Sequence, residues 1–117
     1  MFLRLLLMIT LAAALPASAA EKDTRCFEMR TYYAAPGKLD DLHARFRDHT
    51  TKLFAKHGIV NIGYWVPLEN PDNKLVYVVA HPSRDEGAAA WKAFASDPDW
   101  KTAQQASEVN GKLVTKT

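Results

Sequence analysis

Glu28, Arg30 and Tyr32 stand two residues apart in a stretch, Cys26 to Tyr33, with the composition of a β-strand. Side chains alternate along a strand, so an acid, a base and a phenol share one face. Phe27, Met29, Thr31 and Tyr33 share the other. Neighbours on a strand face are roughly 7 Å apart, close enough for Glu28 and Arg30 to bracket a small polar molecule. Arg30 suits an anion, Glu28 suits a general base or a hydrogen-bond acceptor, and Tyr32 continues the row. The competing reading is a structural ion pair or a solvated strand face. The apolar face is expected to bury against helices, leaving the row on the free side.

Other chemistry-bearing residues are few. His81 ends a later apolar run and is followed by Pro82, so it either faces a pocket mouth or sits in a turn, with the turn favoured. His43, His49 and His57 lie on one helical stretch at steps of six and eight. A helical metal pair needs a step of four, so no metal site is expected. Cys26 is the only cysteine; it could bridge two subunits, act as a thiol or fill space at a strand start, and the last reading is favoured, since free Cys behaves mainly as a small buried hydrophobe. It could meet His81 only through the tertiary fold. Neither a glycine-rich phosphate loop nor a nucleophile elbow is present, and no cofactor is indicated.

The elements that position these residues follow in order. Pro36-Gly37 turns the chain, and residues 38–56 carry Leu39, Leu42, Phe46, Thr50, Leu53 and His57 at helical steps, with Phe54 flanking them. Asp40 and Asp41 near the start, Lys52 and Lys56 near the end, and Gly58 as the stop complete a helix. A strand is expected over 59–67, with Ile62, Tyr64 and Val66 on one face and Asn61, Gly63 and Trp65 on the other. Asn70-Pro71-Asp72-Asn73 makes a turn into a third strand, 75–81. Ser83-Arg84-Asp85-Glu86 is a capping box opening a helix through Gly87, Trp91 and Phe94. Asp97-Pro98 starts another, which Asn110-Gly111 stops. Leu113 and Val114 can begin a short last strand.

Strand, helix, strand, strand, helix and a short strand give the split βαβ pattern of a ferredoxin-like α+β fold: an antiparallel sheet with helices on one face. Tyr32, Trp65 and parts of the third strand, Tyr77 among them, are too apolar to leave in water together, so the free face implies a second copy. Two facing sheets would enclose a pocket lined by Glu28, Arg30, Tyr32, Trp65, Tyr77 and His81.

Residues 1–19 are set apart. Arg4, an apolar run from Leu5 to Leu15, Pro16 and then Ala17-Ser18-Ala19 have the form of a secretory signal peptide, cut after Ala19 or Ala20. The run is too short to span a bilayer comfortably, so no stable membrane insertion is expected after cleavage. The domain is then 20–117, exported to the periplasm or beyond. Its formal charge is small (+2 for the whole chain, Arg4 included), and its bases are dispersed, which argues against nucleic acid.

Phe27-Glu28-Met29-Arg30-Thr31-Tyr32, Pro36-Gly37-Lys38-Leu39, His57-Gly58, Gly63-Tyr64-Trp65 and Asp97-Pro98-Asp99-Trp100, in this order, resemble the NIPSNAP family of the dimeric α/β-barrel superfamily. The resemblance implies a ferredoxin-like protomer and a barrel-forming homodimer. Members continue into a fuller last strand and a Pro-containing tail, so the last strand here is expected to be short or truncated. Fold does not carry function. The residues suit a homodimer binding a small, partly apolar ligand between subunits. The alternatives are a cofactor-independent enzyme, monooxygenase- or isomerase-like, using Glu28 and Arg30, and a protein-interaction module.

Overall fold

The structure, a computed structural model, describes residues 12–15 and 22–117. The export signal expected over residues 1–19 therefore lies, apart from 12–15, outside the described residues. Among the described residues no helix is long and apolar enough to cross a membrane.

The order is β1 (Cys26–Ala34), α1 (Leu39–Arg45), a π-helical turn (Phe46–Thr50), α2 (Thr51–Lys56), β2 (Val60–Trp65), β3 (Lys74–His81), α3 (Arg84–Ser96), α4 (Pro98–Ser107) and β4 (Val114–Lys116). The strands form one antiparallel sheet in the order β2-β3-β1-β4. This is the expected ferredoxin-like α+β arrangement, with β3 inserted between β1 and β2.

Local chemistry explains the boundaries. Gly37 and Gly58 take φ of 73° and 75° at the turns bracketing the first helical segment, where a side chain would be strained. Ser83 Oγ accepts from Glu86 N and donates to the Glu86 carboxylate, closing the capping box of α3. Asp97 accepts from Asp99 N at 2.8 Å, with Pro98 in the first turn of α4.

The first helical segment is not a plain α-helix. Leu42, Phe46, Thr50 and Phe54 are all buried, at three successive steps of four. An α-helix turns about 100° per residue, so three such steps would drift the stripe by about 120°. The π-helical turn takes up an extra residue and keeps the stripe on the sheet.

The core is aromatic and centred on Tyr77, which is fully buried. Tyr32, Phe46 and Tyr64 lie 5.2, 5.3 and 5.3 Å from its ring. Phe54 links Phe46 to Phe94 and Trp91. Such pairs contribute about 0.5–1.5 kcal/mol each beyond their area burial.

The faces of β1 are the reverse of the sequence expectation. Phe27 is 50% and Met29 75% exposed, whereas Glu28, Arg30 and Tyr32 share a face with the buried Leu75, Tyr77, Val79 and His81 of β3. The helices cover the polar row and leave the apolar row open. On β2 the alternation also fails. A bulge between Asn61 and Gly63 puts Asn61 and Tyr64 on the same, helix-covered face, where the Tyr64 hydroxyl donates to Asn61 Oδ1 at 2.6 Å.

Candidate functional site

The polar row is organised around the Glu28 carboxylate. Its Oε1 accepts from Trp91 Nε1 at 2.8 Å and is 2.7 Å from His81 Nε2; its Oε2 is 3.4 Å from Arg30 Nη1. Each partner comes from a different place: His81 ends β3, Trp91 projects from α3, and Arg30 follows Glu28 by two on β1. Burial alone would raise the Glu28 carboxyl. The hydrogen bonds from Trp91 and His81, with the charge of Arg30, outweigh it and hold the group below the usual carboxylate range.

His81 is 1% exposed and belongs to the strand, so the turn reading is corrected. A glycine makes room for it: a Cβ on Gly87 of α3 would lie 2.7 Å from the His81 ring. Gly87 thus lets α3 press onto the imidazole. His81 Nδ1 has no hydrogen-bond partner among the described residues. Across β1, Cys26 is the direct strand partner of His81, so the fold does bring these two together.

Arg30 spreads its guanidinium 4.5 Å from the Trp91 ring centre and 5.9 Å from that of Tyr32. Burial works against its charge; the adjacent phenols of Tyr77 and Tyr32 and the Glu28 carboxylate favour it and prevail. The side chain stays about one-third exposed, and its only ion pair among the described residues is the long one to Glu28. Burial, joined by the nearby Tyr32 phenol, pushes Tyr77 well above the usual phenol range, and its hydroxyl has no partner among the described residues.

Five of the six expected site residues, Glu28, Arg30, Tyr32, Tyr77 and His81, are therefore neighbours on the helix-covered face, inside one protomer. Trp65 is not with them. It lies on the open face, 55% exposed, with its ring over Gly63. The expectation that all six line a space between two sheets is overturned, because the row points into the helix layer.

Each end of the row meets a cleft. Glu28, with Cys26, Phe27 and Arg84, lines one of about 290 Å³. Tyr32 lines another of about 210 Å³ with Arg45, Phe46, Trp100 and Glu108 among its walls. Trp65 belongs to a separate apolar cleft of about 340 Å³ beside the π-helical turn, with His43, Phe46 and Tyr64. Among the described residues no cluster of His, Cys, Asp and Glu could hold a metal ion.

Two contributors were not expected from the sequence. In the sequence Trp91 is only one residue of the helix that the capping box opens; the signal available is its indole N–H, which needs a partner once covered. Arg45 is buried on α1, bonded to Ser107 and Glu108 and lying over Trp100. A base inside an apolar stripe was the available sign.

Three solved structures share this fold. An uncharacterised NIPSNAP-like domain protein from Burkholderia xenovorans superposes with a TM-score of 0.68 at 16% identity, covering 81% of this chain and 80% of its own. A NIPSNAP family protein of unknown function from Agrobacterium tumefaciens gives 0.68 at 21% identity, with 82% and 84% covered. A NIPSNAP family protein from the same organism gives 0.67 at 22%, with 79% and 85% covered. No curated protein sequence matches significantly. The NIPSNAP family model matches residues 27–116, from the first residues of β1 to the end of β4, and the chain belongs to the NIPSNAP family.

Proposed function

We propose that the chain is an exported homodimer that binds a small, partly apolar anion at Arg30. The observation that carries the reading is the state of that guanidinium. It is one-third exposed, set against the rings of Trp91 and Tyr32, and has a single ion-pair contact at 3.4 Å among the described residues. A guanidinium offers five N–H donors in a fork that matches a carboxylate, and the flanking rings suit an apolar body. The open apolar face supports the dimer, since Phe27, Met29, Val60, Ile62 and Trp65 stand exposed on one side of the sheet. Export rests on the amino-terminal sequence, and the amino-terminal residue of the protein recovered from cells tests it.

Binding is tested by titrating single-ring and short-chain carboxylates while following tryptophan fluorescence and thermal stability. Saturable binding by the wild-type chain that Arg30→Gln abolishes supports the reading. Binding that survives Arg30→Gln places the ligand elsewhere. Light scattering tests the dimer, and a monomeric mass at micromolar concentration rejects it.

The Glu28–His81 contact at 2.7 Å favours a second reading, that of an enzyme in which Glu28 orients a histidine base. Glu28→Gln separates the two: turnover lost with binding retained marks the enzyme.

A further inference from the structure

We propose that Cys26 is a reactive thiol served by His81 and Glu28, and that its cleft accepts small anionic disulfides. Cys26 opens β1 and pairs directly with His81 on β3, both on the helix-covered face. Side chains facing each other across antiparallel strands have Cβ atoms about 4.5–5.5 Å apart. Sγ and Nδ1 are not hydrogen-bonded in this structure, and a rotation about χ1 of Cys26 is the motion that the relay requires.

The imidazole is prepared for this. Nε2 is tied to Glu28 Oε1 at 2.7 Å, which fixes the ring and makes Nε2 the donor. Nδ1, the nitrogen nearer the backbone, is left with its lone pair and no partner among the described residues. Nucleophile, base and orienting carboxylate thus follow the order of a Cys-His-acid relay. A ring 1% exposed with an unused nitrogen is otherwise a cost to the fold.

Access and charge complete the site. Cys26 is half-buried and shares the cleft of about 290 Å³ with Glu28, Phe27 and Arg84. Arg84 supplies a guanidinium for an anionic group on the incoming molecule. Because Cys26 points to the helix side, paired open faces leave it accessible. With one cysteine in the chain, an internal disulfide cannot consume the thiol.

In the step itself His81 Nδ1 takes the thiol proton and the thiolate attacks one sulfur of the disulfide. A new S–S bond forms to Cys26 as the old one breaks. The leaving sulfur departs with the electron pair and receives the proton from His81. Cys26 is oxidised to a mixed disulfide, and the departing half is reduced to a thiol. The inference shares Glu28 and His81 with the proposed site, but thiol kinetics and carboxylate titration are separate measurements, so either can fail alone.

The test is the rate at which the folded chain reacts with the anionic disulfide 5,5′-dithiobis(2-nitrobenzoate), beside neutral 2,2′-dithiodipyridine, at about pH 6.5. A free thiol is only about 1% thiolate there. A histidine-paired thiol carries up to about 100-fold more thiolate, partly offset by lower nucleophilicity, for a net gain of about tenfold. The expected result is a wild-type rate about tenfold above free cysteine, falling to the free-cysteine rate in both Glu28→Gln and His81→Gln. Circular dichroism checks that each variant is folded, and Glu28→Gln decides if His81→Gln is not. Arg84→Ala should lower the ratio of anionic to neutral rates. A wild-type rate no faster than free cysteine, or one unchanged by Glu28→Gln, overturns the relay; an unchanged ratio in Arg84→Ala overturns the anion preference.

Discussion

The two faces of the sheet carry opposite kinds of surface. The face beneath the helices holds an acid, two bases and phenols among aromatic rings; the face left open holds Phe27, Met29, Val60, Ile62 and Trp65. A rule that sends polar groups outward would assign them the other way. Polar groups are tolerated inside where they find something to hold: Glu28 is bonded by Trp91 and His81, and Arg30 lies on an indole, while the Tyr77 hydroxyl and His81 Nδ1 have no partner among the described residues. Apolar groups are tolerated outside when another surface covers them. Burial on the covered side is thus decided by the partners that the helices supply.

The contrast can be broken most severely from the covered side. Phe54→Ala removes the ring that joins Phe46, Trp91 and Phe94, and is expected to cost about 3–5 kcal/mol in urea denaturation. Most of a small domain's stability would go with it. A loss under about 1 kcal/mol would show that the helix layer does not set the fold.

On the open side the largest effect should fall on assembly. Met29→Asp puts a charge in the middle of the exposed apolar face, where the side chain is mostly in solvent. The far-UV spectrum is expected to stay unchanged while the mass by light scattering halves. A dimer that persists with Asp at 29 would mean that the copies meet elsewhere.

Two glycines sharpen the comparison, because each has a ring pressed on it. A Cβ at Gly87 meets the His81 ring at 2.7 Å, and one at Gly63 meets the outer edge of the Trp65 ring at 2.5 Å. His81 is enclosed and tied to Glu28, whereas Trp65 is half-exposed and free to swing. Gly87→Ala should therefore destabilise by about 1–2 kcal/mol, overpacking exceeding the gain in helix propensity. Gly63→Ala should cost less than about 0.5 kcal/mol in the protomer. Equal losses would remove the distinction between the faces at this level.

The smallest effect expected is a pH dependence confined to the helix side. Glu28 is held below its ordinary value, and Asp97, bonded by Lys56, His57 and Asp99 N, is held further below its own. Depressed carboxyls contribute stability that is present above their unfolded values, 4.5 and 3.8, and lost as pH falls through the lower folded ones. The urea midpoint should fall as pH drops below about 4.5, and the double variant Glu28→Gln, Asp97→Asn should flatten that decline. An identical decline in the double variant would place the acid-labile groups elsewhere.

Much of the fold was legible in the residues. The capping box at Ser83, the Asp97-Pro98 start of α4 and the turn at Pro36-Gly37 are local devices whose chemistry acts within a few residues. The pairing of Glu28, Arg30 and Tyr32 on one face was equally legible, because strand parity is local. Which side that face would take was not, since it depends on Trp91 and His81 arriving from α3 and β3. The bulge at Asn61–Gly63 hid the shared face of Asn61 and Tyr64, because one extra residue resets the alternation. Cys26 and His81 became neighbours only through strand register, which no spacing along the chain reveals.

The π-helical turn makes chain length a design variable in its own right. Removing one of the exposed residues 47–49 would let the segment close into an ordinary α-helix, in which Leu42 and Phe54 stand about three whole turns apart, within about 20° of one face. Phe54 would stay on the sheet, because the π-helical turn holds the one residue that an α-helix over this span does not need. Substitutions in this segment are graded, each felt according to the volume it changes. A single-codon insertion is closer to all-or-none, because it turns everything beyond by about 100° and re-aims half a helix at once.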